Sequence, residues 1–423
     1  MSPQSTGTTS LHRAMSDQLS RRREKSLLRR LSIAPAETTD FSSNDFLSLS
    51  TSPRLREAFL HELQQTDAFR LGSGGSRLLD GNSAYAEALE RDIAAFHNAP
   101  AGLLFNSGFD ANAGFFACVP QAGDIVLYDE FIHASVHEGM RLSRARRTLP
   151  FEHNCVASLR ERLQEVQGAD ERVRRGEKSV FVAVESLYSM DGDLAPLAEI
   201  VQVVEEALPH GNGHIAVDEA HSTGVYGPRG RGLVCSLGLE KRVFARLSTF
   251  GKALGCNGSI LLCDELTRSY LINYARPLIY TTFMSFPALA AIRASYSLLF
   301  RGDTEPLAQN LQCLIDHLHD QLQALARSHG LSSQPQNYLR ISSRIPKSPI
   351  FSILTPEPRD LARWCQERGF MVRAIVAPTV PTGKERVRIC LHAGNTLDEI
   401  DRLVGTIARW ATTKVEKREV SLL

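Results

Sequence analysis

One lysine lies between two glycines in Ser248-Thr249-Phe250-Gly251-Lys252-Ala253-Leu254-Gly255. It directly follows an apolar run (Val243, Phe244, Ala245, Leu247) that reads as a buried strand. Upstream, Ile215-Ala216-Val217-Asp218-Glu219-Ala220-His221-Ser222-Thr223-Gly224 ends a second short apolar strand in an aspartate, with a histidine three residues on. A lysine can form a Schiff base with an aldehyde, and an aspartate can keep a pyridine nitrogen protonated. Together they are what pyridoxal 5'-phosphate (PLP) chemistry requires. Lys252 is therefore the candidate covalent residue and Asp218 the candidate partner of the ring nitrogen.

Such a cofactor must also be gripped by its phosphate, covered on its ring face and bonded at its ring edge. Asn106-Ser107-Gly108-Phe109 follows a strand-like run and opens a helix-like one. Backbone N–H groups at a helix start bind anions without a basic side chain, and glycine lets the backbone come close. An ordinary strand-to-helix turn would look the same. Thr249 lies three residues before the lysine and is a second phosphate candidate. His133, in Phe131-Ile132-His133-Ala134-Ser135, is the candidate stacking ring, although a lone histidine is more often an ordinary packed residue. His221 and Ser189, the latter within Glu185-Ser186-Leu187-Tyr188-Ser189-Met190-Asp191-Gly192-Asp193, are placed to reach the phenolate oxygen or ring edge. Taken singly, Asp218 and Ser189 could be strand-end caps. Their shared position just past apolar runs carries more weight, because α/β sheets gather ligands at the carboxyl ends of their strands. Arg388, in Arg386-Val387-Arg388-Ile389-Cys390, offers a planar fork for a carboxylate, and an exposed strand arginine is an equal alternative. The cluster Gly72-Ser73-Gly74-Gly75-Ser76-Arg77 has neither the Gly-Lys-Ser/Thr ending of a nucleotide loop nor the dinucleotide glycine spacing. It reads as a tight turn on the substrate side.

The elements that must position these residues follow from periodicity. Between about 100 and 265, strand-like runs (Gly102–Phe105, Ile125–Tyr128, Val180–Val184, Ile215–Val217, Phe244–Leu247, Ser259–Cys263) alternate with helical segments. That order predicts an α/β fold with a mainly parallel sheet covered on both faces. A helix is expected over 83–97, and a long helical pattern follows Phe286-Pro287 through Leu322 and Leu325. Residues 331–349 read as loop, and a smaller α+β unit runs from Ile350 to about Trp410. Leucines and arginines at helical spacing predict a basic helix from Leu19 to Leu31. The expected organisation is a tail and basic helix (1–40), a large cofactor-binding domain (41–290), a long helix with a small C-terminal domain (291–415), and a tail (416–423).

Composition narrows the class. The chain has 423 residues, 48 basic and 47 acidic, and 43% apolar content, enough for a large core. A net charge of +1 gives no footprint for nucleic acid or a membrane surface. No apolar run is long enough to span a bilayer. The eight cysteines form no CxxC pair, so no metal is expected and a reducing compartment fits. The expected location is cytoplasmic. The Ser/Arg-rich, acid-poor start leaves a mitochondrial address open, and Ser421-Leu422-Leu423 lacks the basic residue of a peroxisomal signal.

With these residues in place, the chain resembles the α-oxoamine synthase family of fold-type I PLP enzymes. The motifs F-S-S-N-D-F-L, G-S-G-G-S-R, S-G-F-D-A-N, H-A-S, E-S-L-Y-S-M-D-G-D-L-A-P-L, V-D-E-A-H-S-T-G-V-Y-G, T-F-G-K, Y-T-T-F-M and P-T-V-P-T-G occur in order from Phe41 to Gly383, within a resemblance that spans roughly residues 41–405. The resemblance implies a seven-stranded large-domain sheet. It also implies a decarboxylative condensation of a small amino acid, L-alanine, with an acyl thioester, pimeloyl-CoA, as in biotin synthesis. A sibling reaction with glycine or serine and another acyl-CoA or a carrier-bound chain is the alternative. A non-catalytic partner subunit, a PLP-binding regulator and an aminotransferase fit the motifs less well.

The resemblance assigns Lys252 to the covalent link, Asp218 to the ring nitrogen and His133 to stacking. It sets Ser107, Gly108, Phe109, Glu185, Ser189, His221 and Thr249 around the cofactor. Asn44 and Arg388 would hold the amino-acid carboxylate, and Ser76 and Thr379 would line the substrate side. A homodimer is implied, with Thr281 or Thr282 reaching the partner's phosphate. Two departures fall on the acyl side. The segment Ile33 to Asp40 is shorter than in most members, next to Arg29, the nearest match to the family's acyl-contacting arginine. Asn395 stands where many members have histidine.

Overall fold

The computed structural model describes residues 9–422, apart from 26, 32, 67 and 329–337, with side chains described through residue 414. Two units separate, residues 1–38 and 39–423.

In the first unit the helix is Ser10–Glu24, not Leu19–Leu31. Thr9 caps its start by accepting the His12 N–H, and Arg21, Arg22 and Arg23 fill its last turn, where cations favour the carbonyl end. Leu31 is fully exposed, so nothing buries a leucine face that would extend the helix. Arg29 therefore lies beyond the helix and is exposed.

The second unit is built on seven strands: β1 Ala101–Phe105, β2 Ile125–Asp129, β3 Arg147–Phe151, β4 Val180–Glu185, β5 Gly213–Asp218, β6 Ala245–Thr249 and β7 Ser259–Cys263. Their spatial order is β1-β7-β6-β5-β4-β2-β3. Only β7 runs antiparallel, to both of its neighbours. β4 is buried along its whole length, as expected for a strand covered on both faces. Val180, Val182 and Val184 pack with Leu159 and Leu163 of helix Val156–Ala169 on one side. Phe181 and Ala183 pack with Phe115 and Phe116 of helix Gly108–Cys118 on the other. Strand β3 escaped the sequence reading. It is an edge strand, half-buried in alternation and carrying Pro150, so it lacks the apolar run that marks its neighbours.

The helical pattern after Phe286 is two helices, Phe286–Arg301 and Glu305–Ser328. They are divided at Gly302, whose φ of 78° ends the first in a left-handed cap. Beyond them, Arg373–Ile375, Arg386–Cys390, Ile350–Leu354 and Arg340–Ile341 form an antiparallel sheet in that order. Thr39–Asp40 pairs with Phe370–Met371, and the Phe41 carbonyl accepts the Cys390 N–H. Phe41, Phe46 and Leu47 share one core with Ile353, Leu361 and Trp410. This pairing brings the early Phe41–Asp45 segment beside the late strand that carries Arg388.

Candidate active site

The carboxyl ends of β2, β4, β5 and β6 deliver Asp129, Glu185, Asp218 and Thr249, and the lysine loop follows β6. Glu185 and Asp218 are register partners on adjacent strands. Lys252 Nζ lies 2.8 Å from His221 Nε2. Burial lowers the Lys252 pKa, with Arg388 adding to the effect and Asp218 and Glu185 opposing it. Burial also pushes His221 well below its ordinary value, helped by Lys252 and Arg388. His221 is thus a neutral imidazole that accepts at Nε2 and carries its proton on Nδ1. That Nδ1 is buried without a partner among the described residues.

A second chain of bonds ties the stacking candidate to the aspartate. Asn112 Nδ2 donates to Asp218 Oδ2 (2.8 Å) and to Ser135 Oγ (3.0 Å), and Ser135 Oγ in turn lies 2.8 Å from His133 Nδ1. The Ser135 N–H also points at His133 Nδ1 (3.2 Å), so that nitrogen is an acceptor and the ring proton sits on Nε2. Burial lowers the His133 pKa, consistent with a neutral ring; Asp218 works against the shift. Asp218 Oδ1 accepts the Ala220 N–H at 2.9 Å. Burial, and after it the Asp218 charge, raise the Glu185 pKa well above its ordinary value. Asn112 and Ser135 were missed as functional residues. Both lie inside quoted motifs, but only the fold shows that the two motifs meet.

Arg388 is buried, and no carboxylate pairs with it among the described residues. It donates to the Ser189 carbonyl (3.2 Å), the Ser42 carbonyl (3.3 Å) and Asn44 Oδ1 (3.5 Å), and its Nε has no partner among the described residues. Its neighbour Arg386 is satisfied by Asp191. A buried guanidinium without a counter-charge is costly unless an anion completes it. Asn44 and Arg388 thus lie side by side, and Ser189, expected at the ring edge, meets Arg388 through its backbone carbonyl.

At the other end, Ser107 caps helix Gly108–Cys118 by accepting the Asp110 N–H, and Phe109 is exposed. A Cβ on Gly108 would lie 2.7 Å from Thr249 Cγ2, so backbone and threonine form one tight cradle at a helix start. Asn106 Nδ2 reaches the Thr282 carbonyl (2.8 Å) and Thr281 Oγ1 (3.4 Å), setting both threonines beside this turn. Gly108→Ala is expected to weaken PLP binding roughly tenfold, about 1.4 kcal/mol, through overpacking. Fluorescence titration of the apoprotein measures it, and adding Thr249→Ser, which removes the clashing methyl, should restore affinity.

Three expected substrate contacts are not joined to this cluster by a described hydrogen bond. Ser76 is half-buried in the glycine turn, where its carbonyl accepts the Leu79 and Gly81 N–H groups. Thr379 is exposed, its N–H donating to the Val376 carbonyl. Arg29 belongs to the separate first unit.

The sheet order and this site define a class, and residues 36–407 match the family model for class I and II aminotransferases. The chain belongs to that family. Within it, the relatives are α-oxoamine synthases. The chain is 55% identical over 413 residues to 8-amino-7-oxononanoate synthase of Emericella nidulans, covering 97% of this chain and 98% of that one. It is 40% identical over 395 residues to aminoacyl transferase sphA of Aspergillus fumigatus, covering 90% and 83%. In fold it is similar to serine palmitoyltransferase from S. paucimobilis, solved with a PLP–myriocin adduct, with a TM-score of 0.79 at 22% identity over 98% and 99% of the two chains. The fold-type I architecture expected from the sequence is present, and the protein is an enzyme of this family.

Proposed function

We propose that the protein condenses L-alanine with pimeloyl-CoA, releasing CoA and CO2, to give 8-amino-7-oxononanoate for biotin synthesis. PLP is its cofactor. The residues fit that group: His221 Nδ1 lacks a partner among the described residues, Gly108 and Thr249 leave a cradle only a bare backbone can form, and Lys252 lies beside His221. When bound, PLP supplies an aldehyde for amine exchange and a ring that takes up the electron pair left at the amino acid's α-carbon.

The observation that carries the reading is the buried, uncompensated Arg388 beside Asn44, which suits an amino-acid carboxylate and is close enough for its charge to act on Lys252 and His221. Arg388 and Asn44 hold the carboxylate and so orient the α-carbon bonds. Lys252, its pKa lowered by burial, takes the α-proton as a neutral amine and later returns it. With PLP bound, Asp218 would pair its charge with the ring nitrogen, and His133 would cover the ring against water. The thioester carbon gains the new bond and loses its thiol, and the carboxylate leaves as CO2. Alanine and the pimeloyl group are favoured by the E. nidulans relative, and a homodimer is the expected assembly. A sibling reaction with another acyl donor is the second reading, favoured by the sphA relative.

The test measures thiol and CO2 release by PLP-loaded protein, with alanine, glycine and serine against pimeloyl-, succinyl- and palmitoyl-CoA. Turnover confined to alanine with pimeloyl-CoA is expected. Turnover with another pair replaces the substrates and keeps the chemistry.

A further inference from the structure

One half-buried charge cluster lies outside the bonds just described yet joins two loops that carry site residues. His153, which follows the edge strand β3, has Nδ1 at 2.9 Å from Asp129 Oδ1 and Nε2 at 2.8 Å from Asp193 Oδ2. With a carboxylate on each ring nitrogen, both nitrogens must donate, so the ring is an imidazolium. Phe131 stacks on it (centroids 4.5 Å, interplanar 30°) and Tyr188 meets it edge-on (4.5 Å, 87°). Asn154 closes the cluster, with its N–H on Asp129 Oδ2 (2.8 Å) and its amide on Asp193 Oδ2 (2.7 Å).

The cluster joins two loops. Asp129 also accepts the Phe131 N–H at 2.9 Å, which fixes the turn that leads to His133. Asp193 closes the 188–193 loop, where Tyr188 N donates to the Asp193 carbonyl, and that loop presents the Ser189 carbonyl to Arg388. We propose that His153 is a positioning residue: clasped between Asp129 and Asp193, it sets the spacing between the loop that carries His133 and the loop that orients Arg388. The proposal rests on the cofactor and carboxylate roles read for those two residues.

Burial alone would push the His153 pKa down, but the hydrogen bonds and charges of Asp129 and Asp193 outweigh it and raise the value to about 10. The titratable and charged groups facing the ring are Asp129, Asp193 and Tyr188, with Glu130 accepting the His153 N–H. A folded pKa above the ordinary 6.5 means that stability from this charge is fully present below about pH 6.5. It is lost as pH rises toward 10. The clasp is therefore closed throughout the neutral range.

The experiment compares the full-length wild type with His153→Gln, which cannot hold both carboxylates as a cation. Three readouts are taken: melting temperature from pH 6 to 10.5, PLP affinity, and the amino-acid KM against kcat. The expected result is a wild-type advantage in melting temperature that is level near pH 6 and closes toward pH 10.5. PLP affinity should weaken and KM should rise, each roughly tenfold, with kcat changed less, because a misplaced loop acts through geometry. A loss of stability with unchanged PLP affinity and KM would make the cluster merely structural and overturn the proposal. A pH-independent stability gap would overturn it as well. If His153→Gln does not fold, Asp193→Asn keeps the shape, removes one charge, and should move the same readouts in the same direction by less. If no acyl donor turns over with the wild type, amino-acid affinity from the bound cofactor's absorbance replaces KM. Failure of the proposed reaction is then separate from failure of the clasp.

Discussion

Lys252→Ala is expected to abolish turnover, lowering the rate by roughly four orders of magnitude or more, because one side chain serves as both covalent anchor and proton carrier. No neighbour can replace it. His221, hydrogen-bonded to Nζ, is a much weaker base, because burial first and nearby positive charge second push its pKa well below the ordinary value. Glu185 is pushed toward its protonated form by burial and the Asp218 charge. Turnover and the mass of the borohydride-reduced protein measure the two losses separately. The wild type should retain one cofactor mass, and the variant none. Substantial turnover in the variant would remove Lys252 from its role.

Why Lys252 was legible in the sequence while Asn112 was not is a matter of range. The lysine announces itself locally, between glycines after an apolar strand. The same holds for Asp218 at the end of β5 and for the continuous apolar run of β4, which is buried on both faces. Asn112, Ser135 and His153 act through partners 106, 23 and 40 residues away, and only the sheet order brings those partners within reach. Strand β3 was missed because an edge strand with Pro150 needs no continuous apolar run. The N-terminal helix was placed too late because leucine spacing was followed where no core exists to bury it, as the exposed Leu31 shows. Arg388 was read as equally suited to an exposed role. Its burial without a counter-charge is a tertiary fact, created when the Phe41 segment pairs with the small sheet.

Asp218→Asn is expected to keep the cofactor bound yet lower kcat by roughly 10²–10³-fold, the scale of losing one preorganised electrostatic partner. The substitution removes the negative charge that faces the ring nitrogen. It also disturbs the bonds behind it, since an asparagine there has one acceptor oxygen for two donors, Asn112 Nδ2 and the Ala220 N–H. Glu185 does not substitute for the lost charge. Asp218 is the second cause of its raised pKa, and burial, the first, remains after the change. Asn112→Ala separates the two effects, because it leaves the charge and cuts only the link through Ser135 to His133. It should cost about tenfold. The double variant should lose less than the product of the single losses, because both changes act on one network. Steady-state kcat on the four proteins, with PLP content measured in each, completes the cycle. Wild-type kcat in Asp218→Asn would show that ring charge is held by another group, and strict additivity would show that His133 is oriented independently of Asp218.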